Sequence, residues 1–250
     1  MPPCPFEPVL TAPPQLLATR HSLLLDFDGT LVELADRPDG IVVEPVLAVL
    51  IRRLAGTFRG RLALVSGRSV AQLEGFLGEA LENVALIGSH GAEIHTGSSR
   101  VAPVRPPALI EAEHAIRAIF ADREGIVVEV KTLGVAVHYR LAPEAEPAAR
   151  RLVRSLAINN GLAVQEGKMM IELRAAGHDK GSGIATLMAR SPFAGTVPVF
   201  AGDDVTDEAG FVAVAALGGV GVLVGPERAT AARHRLQDVA AVRAWLEQAA

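Results

Sequence analysis

Short apolar runs that close in a turn and pass into a stretch of helical period recur along this chain, stop, and then resume. That interrupted rhythm constrains the fold more than any other feature. Residues 22–27 form an apolar run ended by Asp28-Gly29, which reads as a buried strand emptying into a loop. Pro45 sits where a first helical turn tolerates it, and Val46, Val49, Leu50 and Leu54 follow at helical spacing before Gly56. A strand over 62–65, a helix over 69–77 and a strand over 84–87 closed by Gly88 continue the series. From Lys180 it returns, with a helix over 181–189, a strand over 197–201, a helix over 207–217, a strand over 220–224 and helices reaching Trp245. Strands alternating with helices imply an α/β fold, a doubly wound parallel-sheet core.

The interruption begins after Glu93. A Gly/Ser turn (Gly97, Ser98, Ser99) and Pro103, Pro106 and Pro107 mark a linker. A helix over 109–120, strands over 126–130 and 135–139 around a turn at Gly134, a helix over 144–158 and a strand over 169–173 then describe a small sheet covered by two helices. The expected organisation is a core over 21–104 and 177–250 with an inserted α+β cap over 105–176. Residues 1–20 carry six prolines, which remove backbone donors, and read as a flexible leader with one short helix.

Composition narrows the function classes. With 250 residues, half of them hydrophobic, the chain can bury a full core without staples. Its net charge of -4, from 24 basic and 28 acidic residues, offers no basic stripe for a nucleic-acid backbone. The single cysteine, Cys4, has no partner within the chain, no secretory start is visible, and no apolar run is long enough to cross a bilayer. A cytoplasmic protein with neither nucleic-acid nor membrane partners is expected, and a monomer.

Four motifs fall at the C-terminal ends of the core strands, where ligands bind in open parallel sheets. Asp26-Phe27-Asp28-Gly29-Thr30 sets two carboxylates two residues apart, with Gly29 permitting a sharp turn: one can attack phosphorus while the other handles a proton. A loop Asx turn would use the same residues; a calcium loop fails because Arg37 stands where a bidentate Glu is required. Ser66-Gly67-Arg68 opens a helix and can offer a hydroxyl and N–H groups to phosphate, or simply cap that helix. Lys180, flanked by Gly181 and Gly183, can neutralise a phosphate and a carboxylate, or lie solvated. In Gly202-Asp203-Asp204-Val205-Thr206-Asp207-Glu208, four carboxylates repel unless a hard divalent cation offsets them, although Asp207 and Glu208 also suit a helix N-terminus.

Taken together, Asp26-x-Asp28-Gly-Thr, Ser66, Lys180 and Gly202-Asp203-Asp204 resemble the haloacid dehalogenase (HAD) superfamily of phosphohydrolases, whose core is Rossmann-like. Within it, the run from Leu25 to Leu31, Gly88-Ser-His-Gly-Ala-Glu93, His138-Tyr-Arg140, Gly167-Lys168 with Glu172, and Gly202-Asp-Asp-Val-Thr-Asp-Glu208 resemble the trehalose-6-phosphate phosphatases. The likeness spans about 22–245, and Arg174-Ala175 departs from it where members often have a proline. It implies a hydrolase that takes trehalose 6-phosphate to trehalose and phosphate in trehalose biosynthesis. Asp26 would be the nucleophile, forming an aspartyl phosphate, and Asp28 the acid and base. Ser66 and Lys180 would hold phosphate oxygens. Mg2+ would be bound by Asp26, the Asp28 carbonyl and Asp203, with Asp204 and Asp207 as supporting residues. Arg68 and His90 would join the substrate-binding set.

Strand parity offers a separate view of the cap. Glu129 and Lys131 share a face opposite Val128 and Val130; His138 and Arg140 oppose Val135, Val137 and Tyr139; Lys168, Glu172 and Arg174 oppose Met169, Ile171 and Leu173. One face suits covering helices and the other suits sugar hydroxyls, unless it is merely solvated. The resemblance implies that Glu129, Lys131, Lys168 and Glu172 contact the sugar, with Arg140 nearby. A P-loop enzyme fails because Met169 follows Lys168 and Leu162 stands where the first glycine is needed. A serine hydrolase fails because neither Ser66 nor Ser89 is flanked by the required glycines. Two readings stay open beside the main one: a capped phosphatase for sucrose 6-phosphate or mannosyl-3-phosphoglycerate, and a sugar-phosphate sensor without turnover.

Overall fold

The computed structural model describes residues 10–35, 40–97, 99–101, 104–167 and 169–250. Contacts divide these into two compact units, one of residues 10–35, 40–101 and 179–250 and one of 104–178. The first is an α/β unit. Its strands are β1 (His21–Leu25), β2 (Leu62–Val65), β3 (Ala85–Gly88), β4 (Glu93–Thr96) and β5 (Ser99–Val101), and its helices so far are α1 (Pro45–Phe58) and α2 (Val70–Leu77). In chain order the second unit follows with α3 (Pro107–Phe120), β6 (Val127–Lys131), β7 (Gly134–His138), α4 (Glu146–Asn160), β8 (Ala163–Gly167) and β9 (Met170–Arg174). The first unit resumes with α5 (Lys180–Met188), β10 (Val197–Gly202), α6 (Glu208–Ala216), β11 (Val220–Val224), β12 (His234–Leu236) and α7 (Val239–Glu247).

Eight strands form the larger sheet in the order β12-β11-β10-β1-β2-β3-β4-β5. The pairs from β12 to β3 are parallel, and β4 and β5 continue as an antiparallel edge. Both faces are buried, which is why the strands read as unbroken apolar runs. Leu23, Leu25, Leu62, Leu64 and Val222 pack on one side with Leu47, Leu50, Leu54 and Phe58 of α1, Leu73 and Leu77 of α2, and Trp245 and Leu246 of α7. Leu24, Ala63, Val65, Phe200 and Leu223 pack on the other with Ile184 and Leu187 of α5 and Phe211 and Val214 of α6. Local chemistry sets the helix ends: Pro45 opens α1, and Arg59, left-handed at φ 51°, closes it by donating its N–H to Ala55 O. Ser69 and Gln72 make a capping box at α2, and Asp179 and Ser182 make another at α5.

The smaller sheet is antiparallel in the order β6-β7-β9-β8. Val135, Val137, Ile171 and Leu173 face α3 and α4 through Leu109, Ile116, Phe120, Ala149 and Val153.

Three elements lay outside the sequence expectations. The edge hairpin β4–β5 occupies a stretch read as the start of a linker; its turn at Gly97 was foreseen, its strands were not. The strand β8 was not among the expected elements; Gln165 and Glu166 break the apolar alternation, which an edge strand tolerates. The three-residue β12 was too short to stand out.

Residues 10–20 form no helix and run along the first unit. Thr11 bridges to His234, Arg235 N donates to Thr11 O (2.8 Å), Trp245 Nε1 donates to Pro14 O (3.0 Å), and Leu16 is buried. The prolines that argued against regular structure do not prevent an extended segment from docking, because carbonyls and apolar side chains remain available. Residues 1–9 lie outside the described residues.

Candidate active site

Three adjacent strands, β10, β1 and β2, deliver Asp203, Asp26 and Ser66 at their C-terminal ends, whereas Lys180 follows no core strand and opens α5. The ladder runs on one step past β1, where Asp26 N donates to Ala201 O at 2.9 Å, so the strand fixes the Asp26 backbone. The chain then turns sharply. Gly29 has φ 77°, its N–H donates to Val32 O at 2.8 Å, and a Cβ there would stand 2.2 Å from Asp203 Oδ2. Glycine is required at 29 both by backbone conformation and by the closeness of the Asp203 carboxylate.

One lysine organises the acidic groups. Lys180 Nζ donates to Asp26 Oδ1 at 2.7 Å and to Asp207 Oδ1 at 2.6 Å, with all three side chains buried. The other Asp207 oxygen accepts from Asp204 N at 2.9 Å. Oxygens of Asp26, Asp203 and Asp207 lie within 4.8 Å of one another. Ionised, these three carboxylates against one ammonium leave two negative charges. Burial first, and then the charge of Asp207, push the Asp26 carboxyl well above the usual carboxylate range despite Lys180. The same two causes lift Asp203 to about 7. Burial depresses Lys180, but Asp207 and Asp26 more than offset it and hold its ammonium above the ordinary lysine range. Hard oxygen donors, two buried and one half-buried, carrying two excess charges fit a divalent cation. Asp207 is the least available of the three, since Lys180 and the Asp204 N–H occupy both its oxygens; Asp26 Oδ2 accepts a long 3.4 Å bond from Thr30.

Asp28 and Arg68 face each other. The guanidinium donates Nε to Asp28 Oδ2 (2.7 Å) and Nη2 to Asp28 Oδ1 (2.8 Å), while its Cζ lies 4.9 Å from the centre of the Phe76 ring. Ser66 is fully buried, with its Oγ accepting from Arg68 N at 3.1 Å. Beside it, Ser89 and His90 are both left-handed (φ 48° and 53°), a costly pair for non-glycine residues and one that concentrates at functional sites. His90 N donates to Ser66 O at 3.1 Å, and a Cβ at Gly67 would meet the His90 ring at 2.6 Å. The turn is braced by buried Glu93, which accepts from Ser89 Oγ and from Val70 N.

In the smaller sheet, cross-strand partners place Glu129, Ala136, Glu172 and Gln165 in one row and Lys131, Gly134 and Arg174 in the next, on the face away from α3 and α4. Lys131 Nζ donates to Glu172 Oε2 at 2.6 Å, and His138 Nε2 lies 3.0 Å from Glu129 Oε2. The small residues Gly134 and Ala136 make room for Glu172, which is only 2% exposed; a Cβ at Gly134 would stand 2.2 Å from its Oε1. Arg140 is half-buried.

A profile of the trehalose-phosphatase family matches residues 24–240. The trehalose-6-phosphate phosphatase of Escherichia coli K12 is 37% identical over 241 residues, covering 95% of this chain and 89% of that protein. A probable trehalose-phosphate phosphatase of Sinorhizobium fredii is 38% identical over 208 residues, 82% of this chain and 78% of that one. A crystal structure described as a trehalose-6-phosphate phosphatase related protein superposes with a TM-score of 0.76 at 29% identity, covering 90% of this chain and 95% of the other. The chain belongs to the trehalose-phosphatase family. It is therefore a phosphohydrolase with the α/β fold of the HAD superfamily and a sugar phosphate as its class of substrate.

For a trehalose-phosphatase family member, the structure brings together Asp26, Asp203, Asp207 and Lys180 and, through Arg68 and His90, the Asp28 and Ser66 loops. Asp204 stands apart: its side chain is exposed and its Oδ1 accepts from Val205 N at 2.7 Å, as a turn cap. Lys168 lies outside the described residues. Sequence reasoning gave no separate role to Glu93, although it quoted the run that contains it. The available signal was an acidic residue between Ala92 and Ile94, two positions after Gly91. Arg228 was missed too, because no pattern in Gly225-Pro-Glu-Arg228 links it to Asp203.

Proposed function

We propose that this chain hydrolyses trehalose 6-phosphate to trehalose and phosphate through an aspartyl phosphate on Asp26. What supports the reading is the placement of the Asp26 carboxylate: fixed at a strand end, with Oδ1 held by Lys180 at 2.7 Å and one of its oxygens within 4.8 Å of an Asp203 oxygen. Attack by Asp26 on phosphorus splits one displacement into two easier ones. Asp28 protonates the departing sugar oxygen and then takes a proton from the attacking water, with Arg68 setting the orientation of its carboxyl. Lys180, the Ser66 hydroxyl and the N–H groups after β2 receive the remaining phosphate oxygens. Asp26, the Asp28 carbonyl and Asp203 would hold Mg2+, which when bound supplies charge neutralisation for the phosphate and for the carboxylates themselves. Asp207 keeps Lys180 in place from the far side.

Specificity for the disaccharide is assigned to the polar face of the smaller sheet, with Glu129, Lys131, Lys168 and Glu172 as partners of sugar hydroxyls and His138 and Arg140 beside them. The buried Lys131–Glu172 pair supports this, because a donor and an acceptor locked at 2.6 Å are preorganised for hydroxyls that both give and accept hydrogen bonds. The test is phosphate release from trehalose 6-phosphate, sucrose 6-phosphate, mannosyl-3-phosphoglycerate and p-nitrophenyl phosphate, each with and without Mg2+. The largest kcat/KM should fall on trehalose 6-phosphate and vanish on chelation. A larger value on either other sugar phosphate would reassign the substrate, and no release from any of them would leave a sensor.

A further inference from the structure

The Asp203-Asp204 backbone is gripped from outside the motif. After β11, Gly225 turns the chain at φ 100° and Arg235 Nε donates back to Gly225 O at 2.6 Å, which fixes the loop that carries Arg228. Arg228 Nη2 donates to the backbone carbonyls of Asp204 at 2.8 Å and Asp203 at 3.4 Å. Its Nη1 donates to the Glu208 carboxylate and to Ala229 O at 3.2 Å, and the second Glu208 oxygen accepts from Ala231 N at 2.8 Å. One planar guanidinium thus ties the loop after β11 to the loop after β10 and to the first residue of α6. Both sides of the 202–207 loop are then held: the inner side by the Asp207 bond to Asp204 N, the outer by Arg228. Asp203 directly precedes the doubly anchored Asp204 and itself accepts from Arg228, with its carboxylate close against Gly29.

We infer that Arg228 is a positioning residue for metal binding, acting through the Asp203 backbone to hold that carboxylate where it can share a cation with Asp26. The inference rests on the proposal that Asp203 is a metal ligand. A lysine could not substitute fully, because a single ammonium on a flexible stem cannot bridge two carbonyls and a carboxylate in one plane. Residues that orient a ligand from behind typically change metal affinity by about ten- to a hundredfold.

The test is Mg2+ binding to the full chain without substrate, by titration calorimetry, for the parent, Arg228→Ala, Arg228→Lys and Asp203→Asn. Arg228→Ala should weaken Mg2+ about tenfold or more, Arg228→Lys should fall between it and the parent, and turnover in both should recover as Mg2+ is raised. Should the alanine variant not fold, the lysine variant carries the comparison. Parent-like Mg2+ affinity in the Arg228 variants, with binding lost in Asp203→Asn, would overturn the inference and spare the site. Parent-like affinity in Asp203→Asn would remove Asp203 as a ligand and take the inference with it.

Discussion

Lys180 serves two buried carboxylates, and its removal would leave Asp26 and Asp207 without that ammonium where both are nearly shut off from solvent. Breaking such a pair from one side costs about 3–5 kcal/mol. Lys180→Met should therefore lower the urea-unfolding free energy of the metal-free protein by that amount, and Asp207→Asn in the same chain should recover part of it. Strictly additive losses in the double variant would deny the coupling. Asp28 differs: its side chain is 26% exposed and its partner is Arg68, so its replacement should touch chemistry more than stability. Asp28→Asn is expected to reduce kcat by about a hundred- to ten-thousandfold, the usual worth of general acid–base catalysis, with an unchanged unfolding midpoint. A kcat near the parent value would remove Asp28 from that role.

At the scale of elements, the segment over 10–20 is clipped to the sheet by a histidine with a depressed pKa. Burial, and secondarily the Arg20 charge, lower His21 below its ordinary value of 6.5, and its Nδ1 accepts from Leu17 N at 3.0 Å, which only the unprotonated nitrogen can do. Below pH 6.5 the unfolded chain binds a proton that the folded chain resists, so the contribution of His21 is complete above 6.5 and lost as pH falls through the depressed folded value. Unfolding free energy measured from pH 7.5 down to 5 should decline less in His21→Phe than in the parent; identical slopes would release His21 from this role. The helices and buried parallel strands were legible because Pro45, Ser69 and the apolar runs state their structure locally. Strands β4, β5, β8 and β12 were not, since short strands at or next to a sheet edge need no apolar alternation of their own. The docking of residues 10–20 depends on Trp245 and His234, more than two hundred residues away, which no local pattern reveals.

Over the whole molecule, the placement of the candidate residues was legible wherever a motif marks a strand end: Asp26, Asp28, Ser66 and Asp203 follow β1, β2 and β10. What the chain pattern could not state was pairing. It did not say that Arg68 would take both Asp28 oxygens, nor that Arg228 would hold the Asp203 backbone, because such contacts arise only once strands far apart in sequence become neighbours. The proposed role of the smaller sheet in sugar recognition yields its own prediction. Glu172→Ala should lower kcat/KM for trehalose 6-phosphate by about ten- to a hundredfold, the worth of one or two charged hydrogen bonds, and leave that for p-nitrophenyl phosphate within a factor of about three. Equal losses on both esters would take the smaller sheet out of substrate choice. The chemistry itself is tested most directly by rapid-quench mixing with trehalose 6-phosphate labelled in its phosphate, followed by acid trapping and peptide mapping. Label should arrive on the protein within the first turnover, on the peptide containing Asp26, and be absent in Asp26→Asn. Full turnover with no protein-bound label, or label on a peptide lacking Asp26, would contradict an aspartyl phosphate at that residue.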